Sequence, residues 1–571
     1  MIIVPEARIR DFKARGWWGE RTLDDLFRKW VREKPDAEAC VDPVNAADIV
    51  GGEGERLSWR QLDEAADRLA AVLHAYGLRK DDVVVVQLPN IIELGLVYLA
   101  CIRLGLIVSP APVQYREHEL DYIVSTSGAS AAITADRIGK HAHGPMLMGV
   151  KAKAPSLKHV FVLGESCPAG AGDLEQLTDA VTARQLKDAR MAMKAARITA
   201  DDVVTLCWTS GTEAQPKGVP RSHNEWIIMG EAVTDAADLA PGARLLNPFP
   251  MVNMAGISTS FVSWLMLGGV LIQHQPFDLQ VFLKQIRDEK VDYTVAPPAI
   301  LNLLLQNEAL LEGIDFGRLK SIGSGSAPLS EWMVRTFHEK YGVQIVNYFG
   351  SNEGASFAGT LKDIPDPATR ATHFPRLGGG RKWAAVMHDR VETRVVDPET
   401  EIEITEVGVP GELRVRGPTI FSGYWRAPEI NARAFDAEGW FRTGDLFELA
   451  GDEAQFIRFV GRLKDVIIRG GMNISSEEIE GLLTGHPAVA EVAVVGAPDQ
   501  NLGERLCAFV VFKPDQSADM AEINRYLTSE KHVAVYKQIE RLEVVDVLPR
   551  NPVGKVLKRE LRERLGTAVP A

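Results

Sequence analysis

Up to about residue 347, the sequence alternates between short apolar runs rich in β-branched residues and longer amphipathic segments. Residues 59–73 (WRQLDEAADRLAAVL) carry apolar side chains at helical spacing, and 83–88 (VVVVQL) predicts a buried strand. A predicted helix (91–105) and a proline-terminated strand (106–112) follow, and the alternation returns in 203–237, 265–312 and 318–347. This pattern predicts an α/β fold with βαβ units, a mainly parallel sheet and active-site loops at strand ends.

The pattern changes after about residue 384. VETRVVD, GELRVRG and AQFIRFVGR are short alternating strands that predict a β-rich layer closing the large domain. Further on, we predict helices over 477–483 and 520–529 and strands over 489–495, 507–513 and 541–547. Because 571 residues are too many for one core, we expect two domains: a large N-terminal domain (1–463) and a small α+β C-terminal domain (464–571).

Charge and cysteine content exclude several classes of function. The formal net charge is −13 and there is no long Lys/Arg run, so nucleic acid is not an expected partner. The five cysteines are scattered without a CxxC pair, which argues against zinc or disulfide frameworks and fits a reducing compartment.

Neither the N-terminus nor the longest uncharged stretch indicates a membrane protein. The N-terminal segment has no apolar h-region. Residues 254–273 are uncharged, but they contain many glycines and hydroxyl residues and predict a buried helix followed by a buried strand. We therefore expect a soluble, cytoplasmic protein with no membrane partner.

The strongest local motif is TSGTEAQPKG at 209–218, directly after the apolar run 203–208. Hydroxyl groups, a glycine and a lysine in one loop suit phosphate, because hydroxyls and backbone N–H groups donate while the lysine neutralises charge. Pro216 occupies the position of the second Walker A glycine, so this is not a Walker A loop. Alone, the motif is equally typical of a surface turn.

Five further motifs follow in order: GSGSAP (323–328), NYFGSNEG (347–354), GWFRTGD (439–445), GRLKD (461–465) and PRNPVGK (549–555). Each one alone is an ordinary turn, a solvated aspartate or a tail lysine. Six motifs in this order over about 350 residues are not explained by coincidence.

Together these motifs resemble the acyl-adenylate-forming superfamily, which includes acyl- and aryl-CoA synthetases, luciferases and the adenylation domains of peptide synthetases. RLGLIVSPA (103–111) and GELRVRGPTIFSGYW (411–425) extend the resemblance over nearly the whole chain. VVVQLPNIIEL (84–94) and FGSNEG (349–354) are similar to dihydroxybenzoate-AMP ligases. Cyclohexanecarboxylate-CoA ligase-like members are also similar.

The resemblance implies an ATP site built from several segments. The phosphate loop would use Thr209, Ser210, Gly211, Thr212 and Lys217, and the adenine side would use Ser324, Gly325, Ser326, Ala327 and Pro328. The next motif would contribute Asn347, Tyr348, Phe349, Gly350, Ser351 and Asn352, with Phe349 stacking on adenine in place of the usual tyrosine. Glu353 would bind Mg²⁺, and Asp445 and Arg462 would contact the ribose.

For the C-terminal domain, the resemblance implies that Lys555 bridges the substrate carboxylate and the α-phosphate. The attacking carboxylate is already ionised near neutral pH, so the reaction needs charge neutralisation and alignment rather than a general base. Lys464 resembles the hinge of the mobile C-terminal domain. Gly470 and Gly471 would let the backbone approach the pantetheine arm of coenzyme A.

Several positions depart from the family pattern. Glu213 and Ala214 replace a hydroxyl residue and a glycine in the loop, and Asn551 and Val553 stand where small hydroxyl residues are common. In PMVNMAG (250–256), Asn253 replaces the usual histidine beside the acyl pocket, to which Met254 also belongs. Asn253 either hydrogen-bonds the acid or packs the pocket wall. Asn352 replaces a threonine and would bond a phosphate or carboxylate oxygen.

The sequence thus predicts a ligase that joins a cyclic, aromatic or medium-size carboxylic acid to coenzyme A, using ATP and Mg²⁺. The alternative is a stand-alone acid–AMP ligase, for an aryl acid such as a hydroxybenzoate, that loads a carrier protein in trans. A luciferase-like oxygenase shares the scaffold without specific support. A catalytically dead nucleotide-binding relative is disfavoured because Glu353, Asp445, Arg462 and Lys555 are all present. The large domain is a candidate for homodimer formation.

Overall fold

A computed structural model describes residues 1–209, 216–326, 329–469, 472–499, 502–531, 533, 535–551 and 554–566. The chain divides into two compact units. Unit 1 comprises Met1–Thr209, Lys217–Glu392 and Arg416–Gly439; unit 2 contains Thr393–Val415 and the described residues from Trp440 onward. The predicted fold class is confirmed: unit 1 has parallel βαβ layers and the C-terminal region is a separate α+β fold. The domain boundary at residue 464 stays a prediction.

The first sheet of unit 1 is parallel except at its two edges. In spatial order its strands are Ser356–Gly359, Gln344–Gly350, Ser321–Gly325, Tyr293–Val295, Arg244–Asn247, Val270–Gln273, Glu38–Val41 and Arg56–Ser58. Because neighbouring parallel strands end at the same edge, the residues that follow 321–325 and 344–350 are brought close together.

The second sheet of unit 1 carries the phosphate-loop motif. Its strands are, in order, Gly172–Asp173, His159–Leu163, Ala131–Ala135, Val83–Gln87, Ile107–Pro110, Val203–Trp208 and Gly218–Ser222. All pairs are parallel except the last, which is antiparallel. Val83–Gln87 is completely buried, as its run of four valines predicts.

Helices cover the sheets of unit 1. They are Glu6–Ala14, Leu23–Glu33, Ala46–Val50, Trp59–Ala75, Ile92–Leu104, Glu117–Ser127, His143–Lys153, Leu174–Asp179, Ala183–Ala196, His223–Ala236, Leu279–Asp288, Pro298–Gln306, the 3₁₀ helix Glu308–Leu311, Glu331–Tyr341, Pro367–Thr372 and Pro428–Ala434. A further short strand is His373–Pro375. The predicted helices over 59–73 and 91–105 are both present.

Helix Trp59–Ala75 shows how the sequence sets these elements. Ser58 and Gln61 form a capping box, in which the Gln61 backbone N–H donates to Ser58 Oγ and the Ser58 N–H donates to Gln61 Oε1. Leu62 and Leu69 are buried on the apolar face that the helical spacing predicted. The local cap and the long-range core therefore specify the same helix.

The uncharged stretch 254–273 is a buried helix followed by a buried strand, as predicted. Helix Met254–Gly256 continues as a π-helix (Ile257–Val262) and an α-helix (Ser263–Leu267), and strand Val270–Gln273 follows. The hydroxyls of Ser258 and Ser263 donate to carbonyls within this helical segment. Among the described residues, no helix is long and apolar enough to cross a membrane.

Gly268 ends this helical segment with a positive φ of +64°. A Cβ at this position would lie 2.3 Å from the ring of Trp30, so only glycine fits. Nearby, Trp264 stacks on Trp59 with the ring centres 4.8 Å apart. These contacts pack the 254–273 segment against the core of unit 1.

A β-rich layer is present, as predicted from the alternating sequence after residue 384, but most of it belongs to unit 2, whereas we expected it to close the large N-terminal domain. Strands Phe456–Arg462, Phe441–Ala450, Gly411–Arg416 and Glu392–Val396 lie side by side in that order. The first three are antiparallel, and the register pairs Asp445 with Arg462.

The C-terminal part of unit 2 is an α+β fold. Its strands lie in the order Met472–Ser475, Val466–Arg469, Gly503–Phe512 and Val489–Asp499, and Arg541–Val544 pairs with Gly503–Phe512. Its helices are the 3₁₀ helix Leu463–Asp465, Ser476–Leu483, Met520–Arg525, the π-helix Tyr526–Glu530, the 3₁₀ helix Val535–Lys537 and Lys558–Gly566. The helices predicted over 477–483 and 520–529 are present, although the second changes to π geometry partway along.

His223 begins the helix that follows the phosphate-loop hairpin and provides a pH test of the fold. It is 1% exposed, and its Nδ1 accepts a hydrogen bond from the Leu23 backbone N–H at 3.2 Å. Burial lowers the pKa of His223 to about 4, below its usual value of about 6.5. The unfolded chain therefore takes up this proton first as the pH falls.

We predict that stability from this histidine is complete above about pH 6.5 and is lost progressively toward about pH 4, by up to ~3 kcal/mol. Urea unfolding followed by tryptophan fluorescence tests this, because every tryptophan except Trp440 lies in unit 1. His223→Gln should show a flatter decline than wild type between pH 6.5 and 4.5. Parallel profiles would contradict the prediction.

Candidate active site

The two ends of the phosphate-loop motif are tied together by the sheet and by reciprocal hydrogen bonds. Strands Val203–Trp208 and Gly218–Ser222 pair Trp208 with Gly218. The Thr209 N–H donates to the Lys217 carbonyl at 2.9 Å, and the Lys217 N–H donates to Thr209 Oγ1 at 3.0 Å. Ser210, Gly211 and Thr212 lie outside the described residues, as do Glu213 and Ala214. The base of the predicted loop is thus fixed at a strand end.

Tyr424 connects the predicted phosphate-binding lysine with the predicted metal-binding glutamate. Lys217 Nζ lies 4.9 Å from the centre of the Tyr424 ring, within cation–π range. The Tyr424 hydroxyl donates to Glu353 Oε1 at 2.8 Å. Two residues more than 130 positions apart in sequence therefore meet at one phenol. The sequence did not single out Tyr424, although it lies in the 411–425 segment that supports the family resemblance.

Asn352 joins three segments through its side-chain amide. Its Oδ1 accepts from the Met254 backbone N–H at 2.8 Å, and its Nδ2 donates to the Trp208 carbonyl at 3.0 Å. Trp208 immediately precedes the phosphate loop, and Met254 belongs to the predicted acyl pocket. The amide that replaces the usual threonine therefore fixes the phosphate-loop base and the acyl-side turn at set positions.

Glu353 is also held through its backbone. The Phe421 N–H donates to the Glu353 carbonyl at 2.9 Å. Gly354 has φ +98°, and a Cβ there would lie 1.8 Å from the Thr419 carbonyl oxygen, so the close approach of these chain segments requires glycine.

Arg8, from the first helix, supports the same segment from the other side. Its guanidinium donates to the carbonyls of Phe421 at 3.2 Å, Gly417 at 3.1 Å and Ile420. A single guanidinium thus satisfies several carbonyls of the 417–421 turn and holds it in place. The sequence offers no local signal for this role, because Arg8 is one of several charged residues in an ordinary helix.

Arg221 places a buried positive charge behind the site. It is fully buried, its Nη1 donates to the Asn352 carbonyl at 3.4 Å and its Nη2 donates to the Glu225 carbonyl at 3.3 Å. Burial lowers the pKa of Arg221, while the carboxylates of Glu225 and Glu353 favour its charged form. A guanidinium at this depth favours anions in the space beside Glu353.

On the predicted adenine side, two polar side chains bond within the protein. Ser324 Oγ donates to the Ala296 carbonyl at 2.8 Å, and Asn347 Nδ2 donates to the carbonyls of Arg370 and Ala371 at 3.1 and 3.0 Å. Both side chains are buried. Their observed bonds hold neighbouring segments on the sheet, so a direct role for either side chain in nucleotide binding stays a prediction.

The aromatic residues of the same motif form two different environments. The Tyr348 hydroxyl lies 3.4 Å from that of Tyr293, and burial raises the pKa of both phenols. Phe349 lies near Phe357 and Phe374, with ring centres 6.0 and 6.1 Å away. Tyr348 is thus directed into the core, whereas Phe349 belongs to an aromatic group at the strand end.

Small residues occupy the strand ends beside these rings. A Cβ on Gly325 would lie 2.1 Å from the Tyr348 carbonyl oxygen, and Ser326 has a left-handed φ of +67°. Gly350 ends its strand, and in the turn that follows the Ser351 N–H donates to the Ala355 carbonyl at 2.9 Å. The buried Ser351 hydroxyl has no hydrogen-bond partner among the described residues. Ala327 and Pro328 lie outside those residues.

Asn253 acts as the N-cap of the helix that begins at Met254. Its Oδ1 accepts from the Gly256 N–H at 3.1 Å. Capping therefore engages the acceptor that the sequence offered for a substrate. Together with the Asn352–Met254 bond, it fixes this turn on both sides.

The predicted residues of unit 2 form a separate group. Arg462 Nε lies 3.5 Å from Asp445 Oδ1 on paired strands, which places the two predicted ribose ligands side by side. Lys464 lies in the 3₁₀ helix Leu463–Asp465, and Gly470 and Gly471 lie outside the described residues. The Lys555 N–H donates to Asn551 Oδ1 at 2.8 Å.

Glu353 is the residue that the sequence predicts as a Mg²⁺ ligand. Among the described residues, no group of three or more His, Cys, Asp or Glu side chains is placed to hold a metal ion. Mg²⁺ commonly binds one or two carboxylates together with substrate phosphates and water, and therefore does not need such a group. A single hard-oxygen ligand next to Lys217 and the phosphate-loop base fits this requirement.

Comparison with known proteins finds two family models that match this chain. The family model described as AMP-binding enzyme matches residues 27–425, and the model described as AMP-binding enzyme C-terminal domain matches residues 478–555. The chain is 32% identical over 558 residues to the 2-hydroxy-7-methoxy-5-methyl-1-naphthoate–CoA ligase of Streptomyces carzinostaticus, covering 97% of this chain and 95% of that protein.

Two further similarities are equally extensive. The chain is 30% identical over 563 residues to the 2,3-dihydroxybenzoate-AMP ligase of Bacillus subtilis, covering 98% of this chain and 97% of the relative. The crystal structure of ATP-bound MatB from Rhodopseudomonas palustris aligns with a TM-score of 0.77 at 27% identity, covering 96% of this chain and 99% of that chain.

We predict that Asn352→Asp lowers the free energy of unfolding of unit 1 by about 1–3 kcal/mol, because a carboxylate would face the Trp208 carbonyl in place of a donor. Urea unfolding at pH 7.5, followed by tryptophan fluorescence, measures the loss. Asn307→Asp is the matched control, since the Asn307 amide is exposed and also donates to a carbonyl. Equal losses in the two variants would contradict the bridging role of Asn352.

Proposed function

Because the chain belongs to the AMP-binding enzyme family, an adenylate-forming family with acyl-CoA and aryl-AMP ligase members, we propose that it is an ATP-dependent acid–CoA ligase. It would activate a carboxylic acid as an acyl adenylate and transfer the acyl group to coenzyme A. The observation that carries the proposal is the meeting of Lys217, Glu353 and Asn352 at the base of the phosphate loop.

In the first half-reaction, a carboxylate oxygen of the acid attacks the α-phosphorus of ATP. A new oxygen–phosphorus bond forms, the bond from the α-phosphorus to the β-phosphate oxygen breaks, and pyrophosphate leaves. Lys555 would bridge the two negatively charged reactants. Glu353 would hold Mg²⁺, which would supply charge neutralisation on the phosphates.

Before this step, residues of the chain would hold ATP at its phosphates, its base and its ribose. Thr209, Ser210, Gly211, Thr212 and Lys217 would contact the β- and γ-phosphates, and Ser324–Pro328 with Asn347–Asn352 would surround the base. Asp445 and Arg462 would bind the ribose, and their pairing at 3.5 Å supports a shared role. Tyr424, through its bond to Glu353, would orient the carboxylate that faces the cation.

In the second half-reaction, the thiol sulfur of coenzyme A attacks the carbonyl carbon of the acyl adenylate. A thioester bond forms, the bond from the carbonyl carbon to the phosphate oxygen breaks, and AMP leaves. The proton of the thiol is lost to solvent. We propose that domain 464–571 turns about Lys464 between the two steps. Gly470 and Gly471 would then line the path of the pantetheine arm.

For the acid, we propose a cyclic, aromatic or medium-size carboxylate. The naphthoate–CoA ligase and the dihydroxybenzoate–AMP ligase among the relatives support an aromatic acid. The neutral amides of Asn253 and Asn352 accept hydrogen bonds from the backbone N–H groups of Gly256 and Met254, so this edge of the proposed pocket presents a fixed, uncharged surface. Such a surface suits a rigid ring better than a second charged group.

A second candidate function is a stand-alone acid–AMP ligase that passes its acyl group to a carrier protein in trans. The 30% identity to a 2,3-dihydroxybenzoate-AMP ligase over nearly the whole chain favours it specifically. Both candidates share the first half-reaction and differ only in the acceptor thiol. A nucleotide-binding protein without activity is disfavoured because Glu353, Asp445, Arg462 and Lys555 are all present.

The decisive experiment measures AMP release from the purified chain with ATP and Mg²⁺ across a panel of carboxylic acids, each with and without coenzyme A. We expect an aromatic or cyclic acid to give AMP release that depends on coenzyme A. Acid-dependent pyrophosphate exchange without any effect of coenzyme A would favour the carrier-loading alternative. No exchange with any acid, alongside demonstrable ATP binding, would contradict the ligase assignment.

We predict that Lys555→Ala lowers the rate of acid-dependent pyrophosphate exchange by about 10²–10³-fold, because the transition state loses a positioned positive charge. Lys531→Ala, at an exposed lysine of the same unit, is the control and should leave the rate unchanged. The acyl transfer from preformed acyl adenylate to coenzyme A should change little in either variant. An exchange rate near that of wild type would remove Lys555 from the mechanism.

A further inference from the structure

The helix that follows Lys555 is fixed to unit 2 by apolar contact. Helix Lys558–Gly566 begins three residues after Lys555. Leu561 and Leu565 are buried in a cluster with Phe509 and Leu548. Apolar burial of this kind selects the face of the helix that lies on the sheet, but it is non-directional and leaves the position of the helix along the sheet weakly specified.

Two cationic side chains on this helix make directional contacts that fix its position. Lys558 and Arg562 are four residues apart and therefore lie on the same face. Lys558 Nζ donates to Ser476 Oγ at 2.8 Å and lies 2.8 Å from Glu480 Oε1. Arg562 Nη2 donates to Asp465 Oδ1 at 2.6 Å.

These anchors belong to different elements of unit 2. Ser476 and Glu480 lie on helix Ser476–Leu483, whereas Asp465 lies in the 3₁₀ helix directly after Lys464. Asp465 is 5% exposed, so its carboxylate depends on a partner. Two charge-assisted hydrogen bonds to separate elements fix both the rotation and the axial position of the terminal helix.

The turn that carries Lys555 is closed by hydrogen bonds within residues 550–555. The Asn551 N–H donates to the Lys555 carbonyl and the Lys555 N–H donates to Asn551 Oδ1, both at 2.8 Å. Arg550 Nη1 donates to the Gly554 carbonyl at 2.6 Å. The amide of Asn551, which replaces a hydroxyl residue, thus closes the turn through the backbone of the lysine itself.

We propose that the Asp465–Arg562 and Glu480–Lys558 pairs position Lys555, so that a rotation at Lys464 moves Lys555, its turn and the terminal helix as one body. This inference rests on the proposed role of Lys555 in adenylate formation. Arg562 and Lys558 act as positioning residues: they touch no substrate and act by holding the segment that carries Lys555.

The test separates the two half-reactions in the full chain. Arg562→Ala should lower acid-dependent pyrophosphate exchange by about 10–100-fold, because a small misplacement of a reacting group costs up to about that factor. The loss should fall on kcat, with KM for ATP nearly unchanged. Transfer from preformed acyl adenylate to coenzyme A, which does not use Lys555, should fall less than about 3-fold. Arg562→Lys, which keeps the charge, should restore part of the exchange rate.

Arg559→Ala is the matched control, since Arg559 lies on the same helix but its ion pair with Glu563 is exposed. It should leave both half-reactions unchanged. A second test variant, Lys558→Met, keeps an unbranched side chain and breaks the other pair; it should reproduce the selective loss of exchange. Thermal unfolding shows whether Arg562→Ala or Lys558→Met fails to fold. If one of them does, the other variant decides the result.

Equal losses in both half-reactions of a folded Arg562→Ala variant would overturn the proposal, because they indicate a general structural role. Exchange at the wild-type rate would also overturn it. If wild type shows no exchange with any acid, the proposed function fails instead, and hydrogen–deuterium exchange gives the independent readout. Backbone protection of residues 554–557 should fall in Arg562→Ala but not in Arg559→Ala, and unchanged protection in both would overturn the positioning role.

Discussion

The hydrogen bonds of the Asn352 amide hold the candidate site of unit 1 together. One end of the amide takes the Met254 N–H and the other reaches the Trp208 carbonyl, so one planar group fixes the spacing of segments from two different sheets. Glu353 is the next residue in the chain, so the bonds of Asn352 also restrict its position. Its own contacts with Phe421 and Tyr424 then bring in the 417–425 segment. The ring of Tyr424 also lies next to Lys217, so the predicted phosphate-binding lysine is close to the same segment.

The candidate site carries positive side chains, although the chain as a whole has a negative net charge. The net charge of −13 repels polyanions at long range, yet a nucleoside triphosphate must bind. Lys217 and the buried Arg221 provide local positive charge where the two sheets meet, and Arg8 holds the neighbouring turn by its carbonyls. Because Arg221 is fully buried, its field is little screened by salt. The net charge of the chain and the local charge of Lys217 and Arg221 therefore have separate effects on ligand binding.

Local pattern predicted most elements, because capping boxes, apolar periodicity and buried strands are properties of neighbouring residues. The segment 59–73 and the uncharged stretch 254–273 both folded as their patterns indicated. The contacts that build the site join residues far apart in sequence: Tyr424 meets Glu353 across 71 positions and Arg8 meets Phe421 across 413. Patterns among neighbouring residues cannot predict such long-range pairs. The family resemblance supplied the site residues, but it did not identify Tyr424, Arg221 or Arg8 as their supports.

The reciprocal bonds between Thr209 and Lys217 have a consequence for how this protein can vary. The sheet register and these bonds set the distance between the two ends of the phosphate loop, whatever residues stand between them. The residues between Thr209 and Lys217 can therefore be exchanged while the two strands keep their register. Its composition can drift, as at Glu213 and Ala214, without disturbing the strands that carry it. Changes between Thr209 and Lys217 and changes in the two strands then affect different residues, which makes this hairpin a suitable place to graft the loops of relatives.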